Sequence, residues 1–230
     1  MIEIVLDLET TGLDPRQGHK IVEIGAIKLS NKSVTKEKFH QYVNPQRDMP
    51  QEAYNVHGIS SHFLKDKPLF SDVAESLLDF IKGSTLIIHN APFDTKFLNY
   101  ELALLGKPSI NVAHVVDTLK IAQSLYPGKR ASLDALCDRF KIDLSNRKLH
   151  GALKDAELLA QVYYMMSGGG SQYSLQVEEK IQEMSDAKSQ RSQIISKVVK
   201  PTTDELQAHL EMIQKMKNSI WQEREKPDEN

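Results

Sequence analysis

Two acidic residues stand two positions apart at the end of an apolar run near the start of the chain. The run from Ile2 to Leu8 is rich in β-branched residues and a Thr-Thr-Gly turn follows Glu9, which predicts a buried β-strand. Side chains alternate along a strand, so Asp7 and Glu9 share one face. Adjacent buried carboxylates repel each other, and a hard divalent cation such as Mg²⁺ or Mn²⁺ reverses that cost. The pair predicts a metal site, with an acidic patch at a strand end as the alternative.

Two later segments add to this acidic set. After a predicted strand at Ser84 to Ile88, a helical pattern begins with Asn90 as the N-cap, which puts Asp94 in the first turn, where the helix dipole favours an anion. A second helical pattern begins at Ala152 and carries Asp155, with His150 just ahead of it. Taken alone, each carboxylate could be an ordinary helix-start residue, and His150 could be an ordinary surface histidine.

Together these segments supply four carboxylates and one imidazole: Asp7, Glu9, Asp94, Asp155 and His150. Hydrolysis of a phosphodiester by two metal ions needs such a set, because two cations about 3.5 to 4 Å apart stabilise the attacking and leaving oxygens. Histidine, with an ordinary pKa of about 6.5, is suited to take the proton from the attacking water.

The motifs Asp-x-Glu-Thr-Thr-Gly, His-Asn-x-x-Phe-Asp and His-x-x-x-x-Asp resemble the three exonuclease motifs of the DEDD superfamily, in its histidine branch. With Val-His-Gly-Ile, Tyr-Pro-Gly-Lys-Arg and Ser-Leu-Asp-Ala-Leu-Cys, the pattern is similar to the epsilon subunits of bacterial DNA polymerase III, which are proofreading 3′-to-5′ exonucleases. The resemblance implies that Asp7, Glu9 and Asp155 hold two Mg²⁺ or Mn²⁺ ions and contact the substrate. Asp94 would complete the metal shell and His150 would be the general base.

The same resemblance bears on substrate and fold. Glu52 and His57 match positions that contact the terminal nucleotide of a single-stranded or frayed DNA 3′ end; a solvated loop carboxylate and a turn histidine are the alternatives.

The order of the predicted elements indicates the fold class. Three strands come first, and strands and helices then alternate, among them a helix over Leu69–Ile81 and a strand near Val112–Val116. This order predicts an α/β domain with a mixed sheet. The resemblance makes this a ribonuclease-H-like fold with flanking helices.

Composition and charge exclude several other classes of protein. The 230 residues include 29 Lys and Arg against 31 Asp and Glu, a net charge of −2 that does not indicate a tight nucleic-acid binder. A single cysteine, Cys137, excludes a disulfide framework and is expected in the core. There is no leader-like start and no apolar run of about 18 residues, so we expect a cytoplasmic protein without a membrane span.

The chain divides at a Ser-Gly-Gly-Gly-Ser stretch into an exonuclease domain (residues 1–170), a flexible linker (171–200) and a tail (201–230). In the linker, Gln172, Ser174 and Leu175 belong to a Gln-x-x-Leu motif that resembles sliding-clamp ligands, although motifs this short recur by chance.

Thr202 and Glu205 have capping-box spacing and predict an amphipathic helix in the tail. Its apolar residues are Leu206, Leu210, Ile213, Ile220 and Trp221. By resemblance this helix binds the polymerase alpha subunit; packing back on the core is the alternative, and a theta-like subunit is a further implied partner.

Three functions compete for this sequence. The first is a proofreading exonuclease that releases 5′-deoxynucleoside monophosphates. An RNA or oligoribonucleotide exonuclease would use the same motifs, but it has little need of the linker and tail. A structural replisome subunit with a vestigial site conflicts with the presence of all five catalytic side chains.

Overall fold

The computed structural model describes residues 2–145, 149–168 and 201–215, apart from the side chains of residues 210 and 213–215. It divides into two units, which we describe separately. In the first, the described residues form five strands: β1 (Ile2–Thr10), β2 (Ile21–Ser30), β3 (Ser33–Tyr42), β4 (Thr85–Ile88) and β5 (Val115–Asp117). They form one sheet in the order β3-β2-β1-β4-β5. The first three strands are antiparallel, whereas β1, β4 and β5 run parallel, so the predicted mixed sheet is confirmed.

Within the described part of this unit the helices are α1 (Gln51–His57), α2 (Ser61–Leu64), α3 (Phe70–Ile81), α4 (Ala91–Leu104), α5 (Thr118–Leu125), α6 (Leu133–Phe140) and α7 (Ala152–Met166). The helix predicted to begin at Leu69 begins one residue later, where the Asp72 carboxylate accepts the N–H of Leu69 at 2.9 Å. The strand predicted from Val112 is partly wrong. A 3-10 turn occupies Val112–His114, because the Asn111 side chain accepts the N–H of Ala113, and β5 follows it.

Alternation along β1 gives each face of the sheet its own core. Ile4, Leu6 and Leu8 pack with α3 and α4, whereas Val5 packs with α7. Burying a large apolar side chain stabilises a fold by about 1.5 to 3 kcal/mol, so this division fixes the orientation of the strand. Asp7 and Glu9 have the parity of Val5 and therefore face the α7 side.

A third apolar cluster joins α5, α6 and α7, and Cys137 is fully buried in it, as predicted from its helical pattern. This cluster supports α7 from the side away from the sheet. The helix that carries Asp155 is therefore packed against strands and helices alike.

The second unit contains α8 (Thr203–Lys215), and the predicted capping box is present at its start. The Glu205 carboxylate accepts the N–H of Thr202 at 2.8 Å, and the Thr202 hydroxyl accepts the N–H of Glu205 at 3.3 Å. Leu206 is exposed. Among the described residues, none of the helices is both long enough and apolar enough to cross a membrane.

Candidate active site

The carboxylate pair of β1 lies at the end of the strand on the face covered by α7. In the antiparallel register with β2, Asp7 stands opposite Gly25 and Glu9 stands opposite Glu23. Glu9 is buried and Asp7 is half-buried. The register therefore sets a glycine beside the first carboxylate and a third acidic side chain beside the second.

Gly25 allows α7 to approach the sheet at this point. A Cβ atom added at Gly25 would lie 2.2 Å from the carbonyl carbon of Ala152, closer than real Cβ contacts come. The first turn of α7 thus rests on the backbone of β2. Asp155 lies in that turn, buried, near the end of β1.

Asp94 reaches the site from the neighbouring parallel strand. β4 ends at Ile88, and α4 begins after a turn in which Asn90 is left-handed, with φ 63° and ψ 50°. Asn90 occupies the N-cap position as predicted, but its side chain makes no capping hydrogen bond; instead its N–H donates to the Asp117 carboxylate at 3.1 Å. This turn puts Asp94, which is buried, in the first turn of α4 as predicted.

His150 lies just before α7 and is held from two sides. Its backbone N–H donates to the carbonyl of Val56 at the end of α1, at 3.1 Å. Its ring Nδ1 lies 3.0 Å from a carboxylate oxygen of Asp155, while the side chain stays 46% exposed. An ionised Asp155 makes Nδ1 the protonated nitrogen, so Nε2 is the basic one.

These residues converge although they come from separate parts of the chain. Ligand atoms of Glu9, His150 and Asp155 all lie within 4.8 Å of one another. Asp7 lies close enough to Asp94 and Asp155 for their charges to affect its ionisation. The structure thus brings together the five side chains that the motifs single out.

Ionisation in this cluster is strongly perturbed. Burial raises the pKa of Asp7 well above its usual range, and the charges of Asp94, Glu9, Asp155 and Glu23 raise it further. Burial also raises the pKa of Asp94, although backbone N–H groups of Asp94 and Leu8 partly offset this.

Several neighbouring carboxylates destabilise a fold when all of them are ionised, because their charges repel. The same carboxylates are suitable ligands for a hard divalent cation. Oxygen donors with one imidazole fit Mg²⁺ or Mn²⁺ by donor chemistry.

A cavity of about 430 Å³ opens beside Glu9, a size suited to a small organic ligand. Its lining includes the two residues predicted to contact the terminal nucleotide, Glu52 and His57, together with Glu9, Thr10, Val56 and Phe93. Both predicted residues lie on α1, Glu52 exposed in its first turn and His57 buried in its last. The helix therefore places them at the same cavity.

His57 is held in one protonation state. Its Nδ1 accepts the N–H of Ile59 at 3.0 Å, so the proton resides on Nε2. Burial lowers the pKa of His57, which favours the neutral ring. Nε2 lies near the Thr10 carbonyl but makes no hydrogen bond of good geometry within the described part of the chain. His57 is therefore a neutral donor beside the cavity.

Other predicted binding residues fall outside what the structure describes. Gln172, Ser174 and Leu175, the clamp motif, and Ile220 and Trp221 of the tail lie there. Leu210 and Ile213 belong to α8, but their side chains are outside the described set.

Three residues of the site were missed by the sequence analysis: Glu23, Gly25 and Asp117. Glu23 carries a signal that could have been used, because a glutamate inside the apolar run Ile21–Ala26 predicts a buried, partnered charge. The roles of Gly25 and Asp117 depend on elements distant in sequence.

Comparison with known proteins agrees with this geometry. Residues 4–163 match the family described as RNase_T: Exonuclease. The chain is 56% identical over 221 residues to DNA polymerase III subunit epsilon of Rickettsia typhi, covering 93% of this chain and 96% of that protein. It is 44% identical over 236 residues to the same subunit of Escherichia coli, with coverage of 95% and 96%.

Solved structures share the fold. Exonuclease X in complex with 5′ overhanging duplex DNA is 26% identical, with a TM-score of 0.55 over 74% of this chain and 94% of that one. The nuclease domain of 3′hExo, a DEDDh family member bound to rAMP, is 21% identical with a TM-score of 0.64, over 75% and 94%. The predicted ribonuclease-H-like fold is confirmed.

Proposed function

The chain belongs to the RNase_T exonuclease family and, within it, to the epsilon subunits of DNA polymerase III, and on that premise we propose how its residues divide the reaction. It is a 3′-to-5′ proofreading exonuclease. Water cleaves the last phosphodiester of a DNA strand, giving a 5′-mononucleotide and a strand with a new 3′-hydroxyl. The proposal is carried by the convergence of Glu9, His150 and Asp155 within 4.8 Å.

Catalysis in the family depends on metal ions, and we assign the ligands in this chain to its carboxylates. Asp7, Glu9 and Asp155 would hold two Mg²⁺ or Mn²⁺ ions, with Asp94 completing the shell. Bound ions of this kind supply the charge that stabilises the attacking and leaving oxygens. The raised pKa values of Asp7 and Asp94 support the assignment, because a cation offsets the mutual repulsion behind them.

His150 is assigned as the general base. Its contact with Asp155 directs Nδ1 inward and leaves Nε2 to accept the proton of the attacking water. Its exposure gives the ring room to approach a substrate, and the adjacent Gly151 makes the backbone adaptable. A positioned base of this type contributes about 10²- to 10⁴-fold to the rate.

The cavity beside Glu9 is assigned to the terminal nucleotide. Glu52, exposed at its rim, is suited to accept from the 3′-hydroxyl, and the neutral His57 is suited to donate through Nε2. Asp7, Glu9 and Asp155 would meet the scissile phosphate through the ions. No base-specific contact is needed, because a mispaired end unpairs at lower cost and so reaches the cavity more often.

The relatives are subunits of DNA polymerase III, and this chain is part of that complex. We assign the tail helix α8 to the alpha subunit, on the strength of its capped start and the exposed Leu206 and Met212. The clamp motif at residues 172–175 and a theta-like partner rest on the family resemblance. We propose that the protein acts in the bacterial cytoplasm, as part of the replisome.

The assignment is tested on a 3′-labelled single-stranded DNA oligonucleotide with Mg²⁺. Asp155→Asn should abolish release of the labelled mononucleotide, as should Asp94→Asn. Asp138→Asn is the matched control, because Asp138 is exposed on α6 and its ion pair with Lys141 is a long surface contact of 3.9 Å. It should digest DNA at the rate of the unchanged protein.

A normal rate in folded Asp155→Asn would refute the metal assignment. An RNA oligonucleotide of the same sequence, digested faster than the DNA, would favour the ribonuclease alternative. Primers with a mismatched end should lose their last nucleotide faster than matched primers.

A further inference from the structure

The first turn of α7 is fastened to the sheet by a residue outside the five catalytic positions. We infer that Glu23, braced by His40 on β3, is a positioning residue that holds Asp155 and His150 in place for the reaction. This inference rests on the proposed function, because it concerns the geometry of the assigned metal ligand Asp155.

Both carboxylate oxygens of Glu23 are engaged by different elements. One lies 2.8 Å from His40 Nε2, and the other accepts the N–H of Ala152, the first residue of α7, at 3.1 Å. Glu23 is only 3% exposed. A carboxylate this buried is stable in a fold only when it is hydrogen-bonded, and here its partners lie on β3 and α7.

Tyr42 adds a further constraint from β3. It stands opposite Glu23 in the β2–β3 register. Burial raises the pKa of Tyr42, and the charge of Glu23 and a hydrogen bond to it raise the pKa further. The Tyr42 ring also meets the His40 ring edge-on, with centroids 5.0 Å apart. The edge strand thereby holds Glu23 in one orientation.

Helix α7 depends on this contact because it lacks a cap of its own. Its N-cap residue is Gly151, which has no side chain to accept the first N–H groups. Glu23 provides an acceptor from the neighbouring strand, and a negative charge there also favours the helix dipole. The close approach at Gly25 sets the distance between helix and sheet, and Glu23 fixes the direction of the first turn.

The position of this contact explains why it matters for the reaction. Asp155 lies at the end of the same first turn, and its N–H donates to the Gly151 carbonyl at 2.8 Å. His150 immediately precedes the cap. A shift of the helix start would therefore move an assigned ligand and the assigned base together. Hydrogen-bond partners that orient metal ligands contribute about 10- to 100-fold to metal affinity or activity.

The test compares Glu23→Ala with Tyr163→Phe. Tyr163 lies at the far end of the same helix, and its hydroxyl donates to Glu3 of β1 at 2.8 Å. Both variants therefore remove a hydrogen bond between α7 and the sheet, at opposite ends. Three quantities are measured: amide hydrogen exchange at Ala152, Mn²⁺ affinity by electron paramagnetic resonance without DNA, and kcat and KM on a 3′-labelled oligonucleotide.

We expect Glu23→Ala to expose the Ala152 amide to exchange and to weaken Mn²⁺ binding by about tenfold or more. At saturating Mn²⁺, kcat should fall while KM stays within about twofold, because the residues that line the nucleotide cavity come from other elements than α7. Glu23→Gln keeps an acceptor oxygen and should recover much of the Mn²⁺ affinity. Tyr163→Phe should lower the melting temperature and leave Mn²⁺ affinity unchanged.

Normal Mn²⁺ affinity and normal Ala152 exchange in Glu23→Ala would overturn the inference, as would an equal loss of affinity in Tyr163→Phe. If Glu23→Ala fails to fold, His40→Ala removes the brace instead, and unchanged Mn²⁺ affinity there is the refuting result. Activity in Asp155→Asn would instead refute the metal assignment itself, so the two failures are distinguishable.

Discussion

Replacing Asp7 by asparagine should abolish exonuclease activity and, without metal, make the protein more stable. Burial raises the pKa of Asp7 well above its usual range, and neighbouring carboxylates raise it further. A carboxyl group with a raised folded pKa binds protons more tightly in the folded state. Its contribution to stability is therefore fully present below the usual aspartate pKa and is lost as pH rises through the raised pKa. At neutral pH the Asp7 charge opposes folding.

The scale of repulsion between neighbouring carboxylates in this site is given by Glu9 and Asp155, which have oxygens within 4.8 Å of each other. At this separation two charges repel by about 3.5 kcal/mol with an effective dielectric constant of about 20. Solvent and partial protonation reduce what is observed, so we expect Asp7→Asn to raise the free energy of unfolding by about 1 to 2 kcal/mol. The melting temperature of a chain of this size then rises by about 2 to 8 °C.

The assay is thermal unfolding in EDTA between about pH 5 and about pH 8, repeated with saturating Mn²⁺. The difference in melting temperature in favour of Asp7→Asn should grow as pH rises. It should disappear with Mn²⁺, because only the unchanged protein is stabilised by binding the ion. Asp14→Asn is the matched control, since a hydrogen bond from Arg16 lowers the pKa of Asp14 to about 2 and its charge favours folding. The electrostatic reasoning is wrong if Asp7→Asn does not raise the melting temperature at about pH 8, or raises it equally at about pH 5 and about pH 8.

Three further changes probe the surroundings of the site. His150→Gln should lower kcat by about 10²- to 10⁴-fold while Mn²⁺ affinity, measured by calorimetry, is retained. Gly58→Ala should destabilise the fold by about 1 to 2 kcal/mol in urea unfolding, because Gly58 has φ +69°, a conformation that alanine disfavours. The variant should also slow turnover, because the added Cβ would lie 2.5 Å from Leu149 Cδ1, beside His150. Asp117→Ala should cost about 1 to 3 kcal/mol in urea unfolding, because the N–H of Asn90 loses its acceptor.

Each of these changes has a contradicting result. If His150→Gln no longer binds Mn²⁺, the imidazole is a ligand rather than a base. A Gly58→Ala variant with normal turnover would show that α1 and the histidine segment are not coupled. Normal stability in Asp117→Ala would mean that the left-handed turn needs no support from β5.

Local rules were enough to place the principal side chains. The alternation of β1 put Asp7 and Glu9 on one face, and the helix-start signals put Asp94 and Asp155 in first turns, as observed. These features depend on residues adjacent in sequence. The three motifs together then identified the family, because each motif marks one strand or helix of the same site.

Contacts between distant segments could not be read in this way. The pairing of Glu9 with Glu23 depends on strand register, and the fit of Ala152 over Gly25 depends on where α7 crosses the sheet. The link from His150 to Val56 joins two segments far apart in sequence. A pattern of apolar residues predicts which face is buried but not which partner covers it.

Backbone detail at two turns also differed from expectation. Asn90 is left-handed and is held through its N–H rather than through its side chain. A side-chain cap at Asn111 converts the start of the last predicted strand into a 3-10 turn. Asparagine favours both kinds of turn, so residue type alone does not separate them.

Anomalous diffraction from crystals soaked in Mn²⁺ tests the central claim most directly. We predict ion density between Asp7, Glu9 and Asp155, with Asp94 close by. Density confined to other surfaces, with these four carboxylates empty at saturating Mn²⁺, would contradict the account.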